Sequence, residues 1–309
     1  MDNKKIFKIL SIDGGGIRGV YSAHILKRIE EEFKIKLHDY FDLVAGTSTG
    51  SIIAAAIACD ISIDDVEQLY KDKGAKIFSR KAWWKAPKWL SSKFNSRTLN
   101  NILEEKFGNK KLEDISKPLI LPASNVTTGN VYISKSFYDK GFVRDKHIKL
   151  KDAVLASCSA PTYFDPHFVE PYLLADGGLW ANNPSLVAVV DAKKRFKQKL
   201  ENIKILSIGT GLYKPEYDFK SKVMGFLTGW KRSKLIDFIL SLQSQSTNNY
   251  LDLLLEENQK YRINFESSEE LPLDKSISVN KLIAKADEDF TYNSPSLKIF
   301  LELKEKNDD

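Results

Sequence analysis

The sequence predicts a three-layer α/β fold in which a mainly parallel central sheet is flanked by helices and followed by a helical C-terminal region. The chain has 309 residues, of which 42% are hydrophobic, so it can bury a sizeable core. Short apolar runs bounded by glycine or aspartate alternate with segments of helical periodicity, which is typical of a sheet with crossover helices. No break in composition separates a second domain, so we expect residues 1–309 to form one.

The first elements are two strands that alternate with two helices. Residues 7–12 form a short, mostly apolar run that predicts a buried strand. In the next segment, residues 25–33, apolar side chains recur at helical spacing. Residues 41–45 predict a second strand, and the small apolar side chains of residues 52–58 predict the helix that follows it.

The alternation continues to about residue 212, and helices dominate after it. Further strands are predicted at residues 119–124, 131–133, 172–175 and 203–208. Further helices are predicted at residues 64–73, 97–107, 150–156 and 185–196. Beyond this alternating part, helical patterns cover residues 235–255 and 280–300. The order of elements favours a parallel sheet with helices on both faces.

Composition excludes several classes of protein. The net charge, 47 − 41 = +6, is too small to indicate a nucleic-acid polymer as partner. Cys59 and Cys158 are the only cysteines, and the four histidines share no metal-ligand spacing, so we expect neither a metal nor another cofactor. The longest apolar stretch, residues 52–59, is far shorter than the ~20 residues that span a bilayer. Without a signal peptide pattern at its start, the chain is expected to be cytoplasmic.

The strongest local signal is a Gly-x-Ser-x-Gly pattern between a predicted strand and a predicted helix. Its members are Gly46, Ser48 and Gly50. In a nucleophile elbow the serine occupies a strained turn, and glycines flank it because the strand and the helix approach closely. The pattern therefore predicts that Ser48 is a nucleophile, with an ordinary glycine turn as the alternative.

A second glycine cluster follows the first strand. Asp13 is followed by Gly14, Gly15 and Gly16, whose backbone N–H groups predict an anion site at a helix start. The spacing to Gly19 matches a dinucleotide fingerprint, but Asp13 would repel a pyrophosphate, and the second strand lacks the acidic residue that binds ribose. We therefore favour the oxyanion of an acyl intermediate, with a purely structural turn as the alternative.

A third glycine cluster supplies the candidate base. Asp176 ends a short predicted strand and precedes Gly177 and Gly178, so its carboxylate is expected to be held rigidly beside a serine hydroxyl. An aspartate of ordinary pKa is a weak base at pH 7, so the role requires partial burial. The alternative is an Asx turn. His167 lies nearby in the sequence and is expected to be a structural hydrogen-bond partner.

Together these motifs resemble those of the patatin-like phospholipase family. The likeness extends over residues 6–212 and includes three further segments, at residues 150–164, 176–184 and 205–211. Residues 213–309 carry no motif of the family. The resemblance implies a patatin-like fold, a Ser-Asp dyad and calcium-independent hydrolysis of lipid acyl esters.

The resemblance also assigns roles to individual residues. Ser48 corresponds to the nucleophile and Asp176 to the general base. The oxyanion hole corresponds to the backbone N–H groups of Gly14, Gly15 and Gly16. Arg18 falls where the family has a cation, and it either supports the glycine loop or contacts the phosphate of the substrate.

Two segments are candidates for contact with a membrane surface. Residues 80–90 interleave Trp83, Trp84 and Trp89 with lysine and arginine, a combination that favours an anionic interface. The alternative for this segment is a packed lid over the active site. Residues 223–232 are apolar with a basic end, but a segment packing at the start of a helix is the favoured interpretation.

The sequence thus predicts a lipid acyl hydrolase that cleaves phospholipid esters through an acyl-enzyme intermediate at a peripheral membrane surface. One alternative is a lysophospholipase or general carboxylesterase. Another is an effector of bacterial antiviral defence that degrades membranes when a small nucleotide of the cyclic type activates it. The site for that activator would lie in the C-terminal third. Oligomeric state and head-group preference are not predicted.

Overall fold

The computed structural model describes residues 5–77, 92, 94–213, 232–267 and 279–303, which form alternating strands and helices. The strands are β1 (Phe7–Ile12), β2 (Leu43–Gly46), β3 (Leu119–Asn125), β4 (Asn130–Lys135), β5 (His167–Val169), β6 (Tyr172–Asp176), β7 (Ile203–Ile208), β8 (Leu212–Tyr213), β9 (Lys260–Ile263) and β10 (Glu266–Ser267). The helices are α1 (Gly19–Phe33), α2 (Leu37–Tyr40), α3 (Thr49–Ala58), α4 (Ile63–Ile77), α5 (Ser96–Phe107), α6 (Leu150–Ser157), α7 (Gly178–Ala181), α8 (Ser185–Arg195), α9 (Arg232–Leu254) and α10 (Val279–Phe300).

The main sheet has the strand order β5-β6-β3-β2-β1-β7-β9, and β4 pairs with β3 outside this path. The run from β3 through β2, β1 and β7 to β9 is parallel, whereas β4, β5 and β6 are antiparallel to their neighbours. In the register of β1, Ile12 lies opposite both Gly46 of β2 and Ile208 of β7. The loops that follow these three strands therefore meet at one edge of the sheet.

Helices cover both faces of the sheet, and the side chains of β1 alternate between the two layers. Leu10 and Ile12 pack in the larger core, which α1, α3, α4, α5 and α10 complete. Phe7 and Ile9 pack in a second core with residues of α8 and the end of α9. In a strand that is buried on both faces, most side chains are apolar instead of every second one. This explains the mostly apolar residues 7–12.

The C-terminal region is helical, as predicted, but it also supplies a strand of the central sheet. Strand β9 pairs in parallel with β7, with Ile263 opposite Ile208. Strand β9 was not predicted, because its four residues mix Lys260 and Arg262 with two large apolar side chains. Strands β5, β8 and β10, of two or three residues each, were missed as well. None of the helices described here is both long and apolar enough to span a bilayer.

Helix α10 packs along α1 and closes the larger core. Phe290 is 1% exposed, and its ring centre lies 5.9 Å from that of Phe33. Beside this contact, the Tyr21 hydroxyl donates to Oδ2 of Asp289 at 2.7 Å. The last described helix is therefore anchored to the first by an aromatic contact and a hydrogen bond.

We expect Phe290→Ala to lower the free energy of unfolding by about 3–5 kcal/mol, because it removes a large buried ring and leaves a cavity. Urea denaturation followed by circular dichroism measures the change. Tyr292→Ala on the same helix is the control, since Tyr292 is 87% exposed, and its effect should stay within about 0.5 kcal/mol. Equal effects of the two substitutions would contradict the packing of α10 on α1.

Candidate active site

Ser48 lies in a sharp turn between β2 and α3. Its backbone has φ 53° and ψ −123°, a strained conformation for a residue other than glycine. A Cβ atom at Gly46 would lie 2.1 Å from the carbonyl oxygen of Gly50, and one at Gly50 would lie 2.3 Å from that of Ile12. Because both distances are far below contact, only glycine fits on either side of Ser48.

Hydrogen bonds hold the backbone of Ser48 in this conformation. Its amide donates to Oγ of Ser157 at 3.0 Å, and the Ser157 hydroxyl donates to the carbonyl of Pro122 at 2.6 Å. Its carbonyl accepts hydrogen bonds from Ser51 Oγ at 2.6 Å and from Cys158 Sγ at 3.1 Å. The motif at residues 150–164 thus supplies two of the groups that fix the strained turn.

Strand pairing brings Asp176 to Ser48. Strand β2 pairs with the start of β3, whereas β6 pairs with the later part, where Asp176 lies opposite Ala123. Since β6 runs antiparallel to β3, its last residue returns towards the end of β2, which Ser48 follows. The Ser48 side chain lies close enough to the Asp176 carboxylate to lower its pKa, and both residues line one cavity.

The environment of Asp176 makes it more basic than an ordinary aspartate. Its side chain is buried, and burial raises its pKa to about 6. Two neighbours oppose this rise, the Gly178 amide, which donates to Oδ1 at 2.6 Å, and the Ser48 side chain. A carboxylate with a pKa near 6 is mainly ionised at pH 7 and still accepts a proton readily.

The glycine loop after β1 lies against Ser48, and its first residue is held on both sides. The Gly14 amide donates to the carbonyl of Asn182 at 3.0 Å, and the Gly14 carbonyl accepts from Thr210 Oγ1 at 2.7 Å. A Cβ at Gly14 would lie 3.2 Å from Cβ of Ser48. Gly15 and Gly16 line the cavity next to Ser48. The amide of Gly14 is thus engaged elsewhere, and those of Gly15 and Gly16 are the candidate oxyanion donors.

Arg18 is buried and contacts the glycine loop. Its Nε donates to the carbonyl of Gly15 at 3.1 Å. Burial lowers the pKa of its guanidinium, and the nearby Asp237 of α9 opposes that shift. Of the two roles that the sequence left open, this geometry favours support of the loop.

Asp13, at the start of the loop, forms an ion pair that no sequence pattern predicts. Its buried side chain lies 2.6 Å (Oδ2) and 3.3 Å (Oδ1) from the two terminal nitrogens of Arg262 in β9. Burial raises the pKa of Asp13, and Arg262 opposes this shift. Because Arg262 pairs with this charge, repulsion by Asp13 is no longer an argument against a bound pyrophosphate. The argument against a dinucleotide then depends on the second strand, which lacks the acidic residue that binds ribose. No local pattern links two residues 249 positions apart.

A cavity of about 90 Å³ opens next to Ser48 and Asp176. Most of its wall is apolar, and α9 contributes a part that the sequence did not predict. The large apolar and aromatic residues of the wall are Ile52, Tyr70, Ile77, Leu99, Tyr163, Phe164, Leu179, Ile236 and Leu240. A nucleophile at the end of such a cavity is suited to a substrate with a hydrocarbon chain.

Histidine takes no part in this arrangement among the residues that the structure describes. None of the four histidines lines the cavity. His167 lies 3.1 Å from Asp152 Oδ1 through its Nε2, which agrees with the structural role expected of it. The segment with Trp83, Trp84 and Trp89 lies outside the described residues. Residues 223–231 of the second candidate segment lie outside them as well, so contact with a membrane stays a prediction.

Comparison with known proteins places this site in a family. The family model of the patatin-like phospholipases matches residues 10–189. A cGAMP-activated phospholipase of Escherichia coli is 33% identical over 275 residues, which cover 82% of this chain and 77% of that protein. A cUMP-AMP-activated phospholipase of Escherichia coli is 31% identical over 322 residues, covering 97% of this chain and 95% of the relative.

More distant relatives share part of their length with this chain. The human calcium-independent phospholipase A2-gamma is 30% identical over 288 residues, covering 87% of this chain and 36% of the human enzyme. The crystal structure of VipD from Legionella pneumophila matches with a TM-score of 0.52 at 12% identity, covering 96% of this chain and 67% of VipD. At that identity the likeness concerns the fold alone. It confirms the predicted mainly parallel sheet flanked by helices.

We expect Asp176→Asn to stabilise the fold at neutral pH. The folded pKa of about 6 exceeds the ordinary 3.8, so folding favours the protonated carboxyl, and the wild type loses that stability as pH rises through 6. The variant should therefore unfold with a free energy higher by about 3 kcal/mol at pH 8, and its advantage should shrink towards pH 4. Urea denaturation at several pH values measures both.

The matched control for this titration is Asp152→Asn. Burial alone would raise the pKa of Asp152, but His167 and Lys151 lower it overall. The sign is therefore reversed, and the control substitution should destabilise the protein at pH 8. An advantage of Asp176→Asn that does not depend on pH would contradict the raised pKa.

Proposed function

The chain belongs to the patatin-like phospholipase family, and we propose that it hydrolyses phospholipid esters with Ser48 as nucleophile and Asp176 as general base. The observation that carries the proposal is the buried carboxylate of Asp176, which lines the same cavity as Ser48 and lies close enough for the Ser48 side chain to lower its pKa. A serine hydroxyl is a weak nucleophile by itself, and an adjacent base activates it. Family membership supports the class of reaction, and the geometry of the site supports the proposed roles of the two residues.

In the first half of the reaction, Asp176 accepts the proton of Ser48 while Oγ attacks the ester carbonyl carbon. The carbonyl oxygen becomes negatively charged and accepts hydrogen bonds from the amides of Gly15 and Gly16. Loss of one such donor typically raises the barrier by about 3 kcal/mol. Collapse of the intermediate expels the alcohol, which takes the proton from Asp176 and leaves an acyl group on Ser48.

In the second half, water replaces the alcohol. The water oxygen attacks the acyl carbon while Asp176 accepts a proton from the water molecule. The same loop amides stabilise the second oxyanion. The intermediate releases the fatty acid, and Ser48 regains its proton from Asp176. The cavity would hold the acyl chain in both halves, since its wall near Ser48 includes Ile52 and Leu240.

Access to the substrate is a separate part of the proposal. Phospholipids lie in membranes or micelles, so the enzyme must meet an interface. Trp83, Trp84 and Trp89 stand among lysines in the sequence and are the candidates for that contact. The enzyme would then bind at the membrane periphery and take one acyl chain into the cavity.

We expect Ser48→Ala to lower hydrolysis of phosphatidylglycerol vesicles by about 10⁴-fold or more, and Asp176→Asn to lower it nearly as much. Release of fatty acid, followed by mass spectrometry, measures the rate. His167→Ala is the control for the base and should stay within about threefold of the wild type. If Asp176→Asn keeps most of the activity while His167→Ala loses it, the proposed base is wrong.

Substrate choice within the reaction class distinguishes a phospholipase from the alternatives. The same assay on lysophospholipid and on a soluble short-chain ester compares the three substrates. A phospholipase should favour the vesicle lipid, whereas a general carboxylesterase should favour the soluble ester.

A second candidate function adds control by a small nucleotide. The relative activated by cUMP-AMP aligns over 97% of this chain, including the C-terminal third that the family model does not match. If this chain is regulated in the same way, the activator site belongs to a part of the molecule that both proteins share. The proposed enzyme would then be a membrane-degrading effector that stays silent until the nucleotide signal appears.

We expect cUMP-AMP or cGAMP to raise hydrolysis by on the order of 10- to 100-fold, as is typical of coupling between an effector site and an active site. The assay compares each nucleotide with a linear dinucleotide of the same bases. Ser48→Ala should remain inactive under all conditions. Full activity of the wild type without any nucleotide would contradict this second function and leave the first unaffected.

A further inference from the structure

The C-terminal part of the chain contacts the glycine loop through Arg262. This residue lies in β9, outside the residues that match the family model. Its two terminal nitrogens bind the two carboxylate oxygens of Asp13, the residue immediately before Gly14. Its guanidinium also donates to Ser207 Oγ at 2.5 Å and to Ser244 Oγ at 3.2 Å. Arg262 thus connects β1 with β7 and α9.

This contact lies where charge matters to the proposed reaction. Asp13 is buried, and its backbone leads directly into the amides proposed to bind the oxyanion. A buried carboxylate without a partner takes up a proton, distorts its surroundings or keeps a negative charge close to the glycine loop. The positive charge of Arg262 compensates the negative charge of the Asp13 carboxylate.

We propose that Arg262 is a positioning residue for hydrolysis: by binding Asp13 it fixes the glycine loop against Ser48 and cancels a negative charge beside the oxyanion. The proposal rests on the proposed function, because it concerns how the same site stabilises its transition state. Arg262 does not contact the substrate in this scheme. It acts through Asp13.

Two other side chains hold the glycine loop, but they bind different atoms from those that Arg262 binds. Thr210 binds the carbonyl of Gly14, and Arg18 binds that of Gly15. Neither of them donates these hydrogen bonds to the carboxylate of Asp13, although the charge of Arg18 also lowers its pKa. Four hydrogen bonds from a planar guanidinium define one orientation, which a lysine ammonium at the same position would not reproduce.

The test compares Arg262→Gln, Arg262→Lys and the double variant Asp13→Asn with Arg262→Gln. We expect Arg262→Gln to lower kcat by about 10²-fold with little change in KM, because it displaces groups that act in the transition state. The double variant removes both charges and should recover at least about tenfold of that loss, since the buried carboxylate is then neutral. Arg262→Lys should fall between the wild type and Arg262→Gln.

A second measurement follows Ser48 directly. A fluorophosphonate reacts with an activated serine, and its phosphoryl oxygen occupies the position of the oxyanion. The rate of labelling at Ser48 should fall in Arg262→Gln and recover in the double variant, in proportion to kcat. This measurement does not need a membrane.

Lys135→Gln is the matched control for stability. Lys135 forms an ion pair with Asp191, both side chains are largely buried, and neither lines the cavity. We expect this variant to melt at a lower temperature than the wild type with kcat unchanged. If Arg262→Gln behaves in the same way, with kcat within about threefold of the wild type, Arg262 is only structural and the proposal is wrong.

Failure of the proposed function gives a different result. A wild type that, with cUMP-AMP or cGAMP present as well as without a nucleotide, is neither labelled at Ser48 nor more active than Ser48→Ala would overturn the hydrolytic site and the role of Arg262 with it. An active wild type together with an equally active Arg262→Gln variant would overturn the role of Arg262 alone. If Arg262→Gln does not fold, the kcat and labelling rate of the double variant and of Arg262→Lys are compared with those of the wild type instead. Both of these variants avoid an unpaired buried carboxylate.

Discussion

Burial of the Asp176 carboxylate beside Ser48 is the constraint on which the site depends. Water would hydrate an exposed aspartate and keep its pKa low, and such a group would be a poor base for a serine hydroxyl. Strand pairing removes Asp176 from water, and burial raises its pKa to about 6. The fold therefore holds a carboxylate where its charged form is unfavourable, and the extensive cores on both faces of the sheet offset that loss of stability.

The same edge of the sheet carries a second buried carboxylate, which is handled in the opposite way. Asp13 receives a guanidinium from Arg262, whereas among the described residues the Asp176 carboxylate accepts a hydrogen bond from the Gly178 amide and interacts with the Ser48 side chain. Full pairing suits a group that holds a loop in place, because its charge is cancelled. Partial satisfaction suits the proposed role of Asp176, which is to take up and release a proton. Their partners thus distinguish two aspartates that look alike in the sequence.

Much of the fold was predictable because its central elements have strong local patterns. The mostly apolar run of β1 and the small side chains of α3 leave few alternatives, and the predicted bounds lie within a few residues of the observed ones. Strand β9 was not predictable in the same way. Its pairing with β7 depends on an edge that exists only after the sheet has formed, and its own sequence is half polar.

The sequence by itself determined the strained turn at Ser48, since glycine on both sides is the only choice where a strand and a helix meet so closely. It also indicated the loop and the aspartate that belong to the same chemistry. Only the tertiary structure decided that Gly14 is engaged by Asn182, that α9 forms part of the cavity and that Arg262 pairs with Asp13. These contacts join residues that are far apart in the chain and come together only when it folds, so no local sequence pattern predicts them.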